Sequence, residues 1–306
     1  MGKKRHHQKI NLFKTKEMMM EKQEEEEEED IFYSPEKVVE EKDEALVEEE
    51  KKLGLLRATL ERKDPFCKVL DDATLRRFLH ARGLDVDKAS LMVTKYMMWR
   101  KTFVPKGSIS EIEIPNEIGQ NKMFLQGRDK QGRPIAVVFA SRHFPTKGGV
   151  DEFRRFLVFV LDKLCRREIY ANFEITQGVF VNITQMSSCS NPDGEEKFTI
   201  IMDLQGYGYC NSDFRGSLAA INILQDYYPE RLGKVYNIHV PYIFMTLWKM
   251  VCPFIDQNTK KKIIFVENKR LRETLLEDVD ESQLPEIYGG KMPLVPIHMA
   301  NLMMMS

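Results

Sequence analysis

The 306-residue chain carries 46 Lys/Arg against 47 Asp/Glu, a net charge of −1, and five cysteines. That balance excludes the strongly basic footprint of a nucleic-acid binder. Five scattered cysteines exclude a disulfide framework, so a reducing compartment is expected.

The first elements are tails. Residues 1–16 hold six Lys/Arg and no acid, whereas residues 17–52 hold seventeen Asp/Glu against five Lys. Neither segment resembles the apolar core of a signal peptide, and His6 stands where a myristoylation pattern wants Ser or Thr. Residues 1–52 are expected to be disordered, basic and then acidic, with helical turns near 40–52, because so polar a stretch cannot bury enough surface to offset chain entropy. The remainder holds 35 bases and 30 acids, a mild positive excess suited to an anionic surface.

From 53 to 105 apolar residues recur at three and four, at Leu75, Phe78 and Leu79, then Val86, Ala89, Met92, Val93, Tyr96, Trp99 and Phe103. Asp71 or Asp72 can cap the first helix, Gly83 can end it, and Asp85 can cap the next. After a loop at 105–115 the period changes. "RPIAVVFA" (133–140), "FTIIMDL" (198–204), "VYNIHV" (235–240) and "KIIFVE" (262–267) read as strands buried on both faces. Helical patterns at 150–167, 212–228 and 241–251 alternate with them. The expected fold is α/β, a mainly parallel sheet with flanking helices over 110–295, behind a small all-helical unit at 53–105. Residues 168–190 form an atypical β-rich insertion, and 296–306 a tail.

Enzyme signatures are tested and fail. "GYGYCN" (206–211) has Asn211 where a dinucleotide fingerprint needs its third glycine, and reads as a turn after a strand. Cys210 and Arg215 are separated by four residues, not the five of a phosphatase loop. No G-x-S-x-G elbow or H-x-x-x-H pair occurs. His239 reads as a satisfied core histidine rather than a base. No catalytic residue, metal ligand or cofactor is assigned.

Residues 240–255 are the greasiest stretch. Tyr242, Ile243, Phe244, Met245, Leu247, Trp248, Met250, Val251 and Phe254 leave only Thr246 and Lys249 polar, too short a run for a span of about twenty residues. A helix apolar all round is either deep core or faces a second apolar medium. Prolines bound it, and "PER" (229–231) and "KKK" (260–262) flank it.

With "DDATLRRFLHARGLDVDKA", "DLQGYG" and "LPEIYGG", the block from Tyr227 to Ile263 resembles the signature blocks of the CRAL-TRIO family, most closely its phosphatidylinositol/phosphatidylcholine transfer branch of fungi and plants. The resemblance implies a deep apolar pocket floored by the sheet and covered by a mobile gate helix containing Tyr242, Phe244, Leu247, Trp248 and Val251. It implies a phosphoinositide headgroup site of Arg82, Glu230, Arg231, Thr259 and Lys262, cations and a hydroxyl for phosphate and a carboxylate for inositol hydroxyls. A local Glu230–Arg231 salt bridge is the structural alternative, and Lys260 and Lys261 are expected to be solvated. Gly83 stands where the family commonly has a lysine. Phe198 stands where the fungal prototype has a serine of its choline-lipid site, which implies a bulkier pocket wall. The implied protein is a monomeric, non-enzymatic, cytoplasmic and peripheral-membrane carrier whose ligand is a phospholipid and whose partner is a membrane surface. The alternatives are a lipid-sensing scaffold or an isoprenoid carrier.

Overall fold

The computed structural model describes residues 35–165 and 197–299. The atypical segment at 168–190 and the tails at 1–34 and 300–306 lie outside them. The chain divides into two compact units, Met1–Lys52 and Leu53–Ser306.

Helix α1 (Pro35–Lys63) begins earlier than the sequence suggested, well inside the stretch expected to be disordered. Local pairs support it in the first unit, since Lys52 lies 3.6 Å from Glu48 one turn earlier. In the second unit the same helix buries Leu53, Leu56 and Leu60.

Those leucines join α2 (Asp72–His80) and α3 (Val86–Phe103) in one apolar cluster with Leu75, Phe78, Leu79, Met92 and Val93. Asp71 caps α2 through the Thr74 amide at 2.8 Å, and Asp85 caps α3 through the Lys88 amide at 3.0 Å. Between the two helices Gly83 takes φ +60°, a left-handed conformation that favours glycine over any side chain.

The sheet has the order β5-β4-β3-β2-β1-β6. Strands β2 (Pro134–Phe139), β3 (Phe198–Asp203), β4 (Leu232–Ile238) and β5 (Ile263–Phe265) are mutually parallel. Strands β1 (Met123–Arg128) and β6 (Val295–Pro296), both missed in the sequence, close one edge antiparallel. Strand β4 stops at Ile238 rather than 240 because His239 turns to φ +53°. There its Nδ1 lies 2.9 Å from Asp203 Oδ1, while Asp203 Oδ2 accepts the Tyr288 hydroxyl at 2.8 Å.

Helices α4 (Gly149–Cys165), α5 (Phe214–Tyr227) and α6 (Tyr242–Val251) follow, with α7 (Leu271–Asp278) near the end. One sheet face supports Phe156, Val160 and Phe198, the other Ile201, Tyr236, Ile238 and Leu275. The helical part and the α/β part of this unit are joined by a stack of Trp99 on Tyr227, ring centroids 3.9 Å apart, and by Arg100 gripping Asp162 at 2.6 and 3.1 Å.

Candidate functional site

Sheet residues on one face alternate with the strand period, and on this face they floor a cavity of about 590 Å³. Met123, Val138, Ile200, Met202, Val235 and Ile263 provide an apolar floor, interrupted by Asn237. Helix α4 contributes Phe156, Leu157, Val160 and Leu161, and α5 contributes Ala220, Ile221 and Leu224. The volume lies within the range of about 300–1,000 Å³ typical of small-molecule sites.

Helix α6 covers the cavity with Phe244, Leu247, Trp248 and Val251. Only Val251 of this helix is buried, so α6 is a surface element and not the core helix that its composition also allowed. Phe244 meets Tyr207 edge-on at 5.6 Å and Trp248 meets Phe265 at 5.3 Å. Tyr242, 88% exposed, and Met250, 51% exposed, lie outside the lining and leave apolar surface facing away from the cavity.

At one rim the structure gathers Arg82, Glu230, Thr259 and Lys262. Lys262 Nζ donates to Glu230 Oε2 at 3.3 Å, both side chains being part-exposed. Glu230 itself sits at φ +56°, a left-handed conformation that costs a non-glycine residue about 1–3 kcal/mol and tends to mark functional positions. Thr259 is placed by a short turn, Gln257–Lys260, capped by Asp256, whose carboxylate accepts the Thr259 amide at 2.8 Å. Burial would raise the Asp256 pKa, but hydrogen bonds from Thr259 and Asn258 hold it low. Arg82, set on the loop after α2, donates to the Ala81 carbonyl at 3.1 Å and forms no ion pair among the described residues. Lys261 is exposed and Lys260 half-buried, and neither lines the cavity.

Two expectations change. Arg231 is buried and absent from the lining. It lies beside Arg77, whose pKa is pushed down to about 10 by burial first and by Arg231 second. Glu230 pairs with Lys262, so the alternative of a local Glu230–Arg231 bridge is not what the rim shows. Phe198 is the second change. It is fully buried in one apolar cluster with Phe156 and Leu232, and forms no wall of the cavity.

A polar network at the opposite end of the strands was not foreseen. Buried Lys122 pairs with buried Glu117 and also donates to Gln120 Oε1 at 2.8 Å. Its third short contact is to His143 Nδ1 at 2.8 Å, and His143 Nε2 in turn lies 3.3 Å from Asp213 Oδ2. Only the N-cap spacing of Asp213 before α5 was a usable signal, because the other partners come from distant segments.

Burial first, then the Lys122 charge, pull the His143 pKa from 6.5 down to about 4, with Asp213 opposing. The folded imidazole therefore stays neutral where the unfolded one takes a proton. Folding stability is expected to fall as pH drops from about 6.5 to 4, by on the order of 3 kcal/mol across the window. Urea unfolding of the native chain and of His143→Gln at several pH values checks this, since the variant should show a flatter dependence.

The comparisons agree with this geometry. A family model described as the CRAL/TRIO domain matches residues 119–290. A CRAL-TRIO domain-containing protein of Saccharomyces cerevisiae is 32% identical over 72% of this chain and 71% of its own length. The Sec14 cytosolic factor of Schizosaccharomyces pombe is 30% identical over 72% of this chain and 75% of its own. A phosphatidylinositol/phosphatidylcholine transfer protein of Arabidopsis thaliana, SFH12, is 31% identical over 70% of this chain but only 38% of its own length. The crystal structure of Sfh5 shares the fold with a TM-score of 0.56 at 18% identity, covering 74% of this chain and 83% of that one. An apolar cavity under a surface helix, matched by family and fold, places the chain in a known group: it belongs to the CRAL/TRIO domain family.

Proposed function

We propose that this protein binds a phosphatidylinositol-type phospholipid and exchanges it between membranes without covalent chemistry, with α6 acting as the gate. The observation that carries the reading is α6 itself, a nearly all-apolar helix with one buried residue, lying over an apolar cavity. Its inner residues close the cavity, and its outer ones, Tyr242 and Met250 with Phe254 beyond, offer an apolar face to a bilayer surface. Each acyl CH₂ kept from water is worth about 0.8 kcal/mol, so a closed pocket removes the main barrier to carrying a lipid through solvent. The rim offers Lys262, Arg82 and the Thr259 hydroxyl to a phosphodiester, and Glu230 to inositol hydroxyls. No described helix is long and apolar enough to cross a membrane. A cytoplasmic protein docking reversibly on its donor and acceptor membranes fits this mode of action.

Transfer of phosphatidylinositol between vesicle populations tests the proposal. Ala220→Trp places an indole inside the cavity and is expected to cut transfer about tenfold or more at an almost unchanged Tm. Undiminished transfer by that variant, or no lipid recovered from the native protein by mass spectrometry, would overturn the reading.

A further inference from the structure

The floor of the cavity carries an anomaly. Asn237 is only 3% exposed, lines the cavity from β4, and finds no hydrogen bond for its carboxamide among the described residues. With no protein partner and without being sealed off, the amide presents its polar atoms to the cavity, where an apolar floor alone would call for leucine. Tyr207, 7% exposed, lines the same cavity with its ring packed on Phe244, while its hydroxyl is sealed under protein atoms on the Ser212 side and does not face the cavity.

The two residues share one end of the molecule. Asn237 pairs with Met202 near the C-terminal end of β3, and Tyr207 follows β3 by a short turn. Glu230 and Lys262 precede the N-terminal ends of β4 and β5. Asn237 thus lies five residues beyond Leu232, roughly 16 Å along the strand at about 3.3 Å per residue.

The polar neighbours at this end are already engaged. Lys122 donates to Glu117, Gln120 and His143, which uses all three of its protons. Asn211 donates to the Ser141 and His143 carbonyls and accepts from the Gly208 amide. Among the described residues no spare cation lines the cavity there to hold a phosphate.

Resting on the carrier reading above, we propose that this end is a second polar subsite, where Asn237 hydrogen-bonds an uncharged oxygen on the hydrophobic part of the ligand. The oxygen is a hydroxyl or a carbonyl. Its source is a hydroxylated acyl chain, a sterol-type hydroxyl or the ester carbonyl of an ordinary phospholipid. The Asn237 carboxamide can donate to either kind of oxygen and can accept from a hydroxyl.

Competition binding, read by mass spectrometry of the intact protein, separates these sources. The probes are phosphatidylinositols with plain chains, with chains hydroxylated near the carboxyl, at mid-chain or at the tail, and with ether links in place of esters, together with cholesterol and cholestane. The native protein is expected to favour the oxygen-bearing member of one pair by about tenfold, and Asn237→Leu to abolish that preference. Tyr207→Phe, which keeps the ring packed on Phe244 and removes a hydroxyl that does not face the cavity, should leave the preference in place. Which pair shows the preference names the source. Binding of plain phosphatidylinositol with no preference in any pair, or a preference that survives Asn237→Leu, would overturn the subsite and leave the carrier reading intact. Failure of the native protein to bind any probe would overturn both.

Discussion

Replacement of Lys122 by methionine is expected to cost about 3–5 kcal/mol of folding stability. Lys122 and Glu117 are 3% and 1% exposed and form a direct ion pair beside the cavity. Burial first pushes the Lys122 pKa down, and the hydrogen bond and charge of Glu117 oppose it. The ammonium also lies about 5.0 Å over the Phe153 ring and 5.1 Å over Phe156, which adds to its hold. Removing it strands the Glu117 carboxylate, which keeps only the Thr146 hydroxyl at 3.3 Å. Urea unfolding should show a lower midpoint at an unchanged m-value. The double variant Lys122→Met/Glu117→Leu should recover most of the loss, because replacing a whole buried pair by apolar groups is far cheaper than breaking it. A single variant within about 1 kcal/mol of the native chain would show that the pair does not contribute as described.

Lys262→Ala is expected to weaken phosphatidylinositol binding by about 10- to 100-fold, the equivalent of one charge-assisted hydrogen bond of about 1.5–3 kcal/mol. The fold should hardly notice. The Lys262–Glu230 pair is 22% and 32% exposed, and such pairs contribute about 1 kcal/mol or less. Lys262→Arg keeps the charge but replaces a compact ammonium with a planar fork, so partial activity is expected. Uptake of diacylglycerol, which lacks the phosphate, should be unchanged in both variants. Equal loss of diacylglycerol and phosphatidylinositol would mean that Lys262 supports the cavity wall rather than the headgroup.

Much of this was legible because parallel strands covered on both sides must be nearly continuous apolar runs. β2 to β5 announce themselves in that way, and the capping aspartates mark α2 and α3. Strand β1 escaped because "MFLQGR" mixes polar residues into a strand near the antiparallel edge. Local motifs contain four residues that the fold brings to the cavity lining, Arg82, Glu230, Thr259 and Lys262, but not Arg231. Adjacent Glu230 and Arg231 look like a unit, yet the positive φ at Glu230 turns the backbone between them, and Arg231 goes inward. The composition of α6 left two environments open, and only burial in three dimensions chooses between them. The Lys122 network and Asn237 were illegible for a different reason. Their meaning depends on partners brought together by folding, or on the lack of them, and neither leaves a pattern along the chain.

The Trp99–Tyr227 stack bears on how defects would present. Arg82 reaches the cavity rim from the loop between α2 and α3, and Tyr227 ends the helix that supplies one wall. The aromatic seam therefore sets the alignment of Arg82, proposed above to meet the headgroup, against the chamber. Slack at that seam would blur discrimination among ligands before it lowered the melting point, so lesions far from the rim could masquerade as altered selectivity in a well-folded protein.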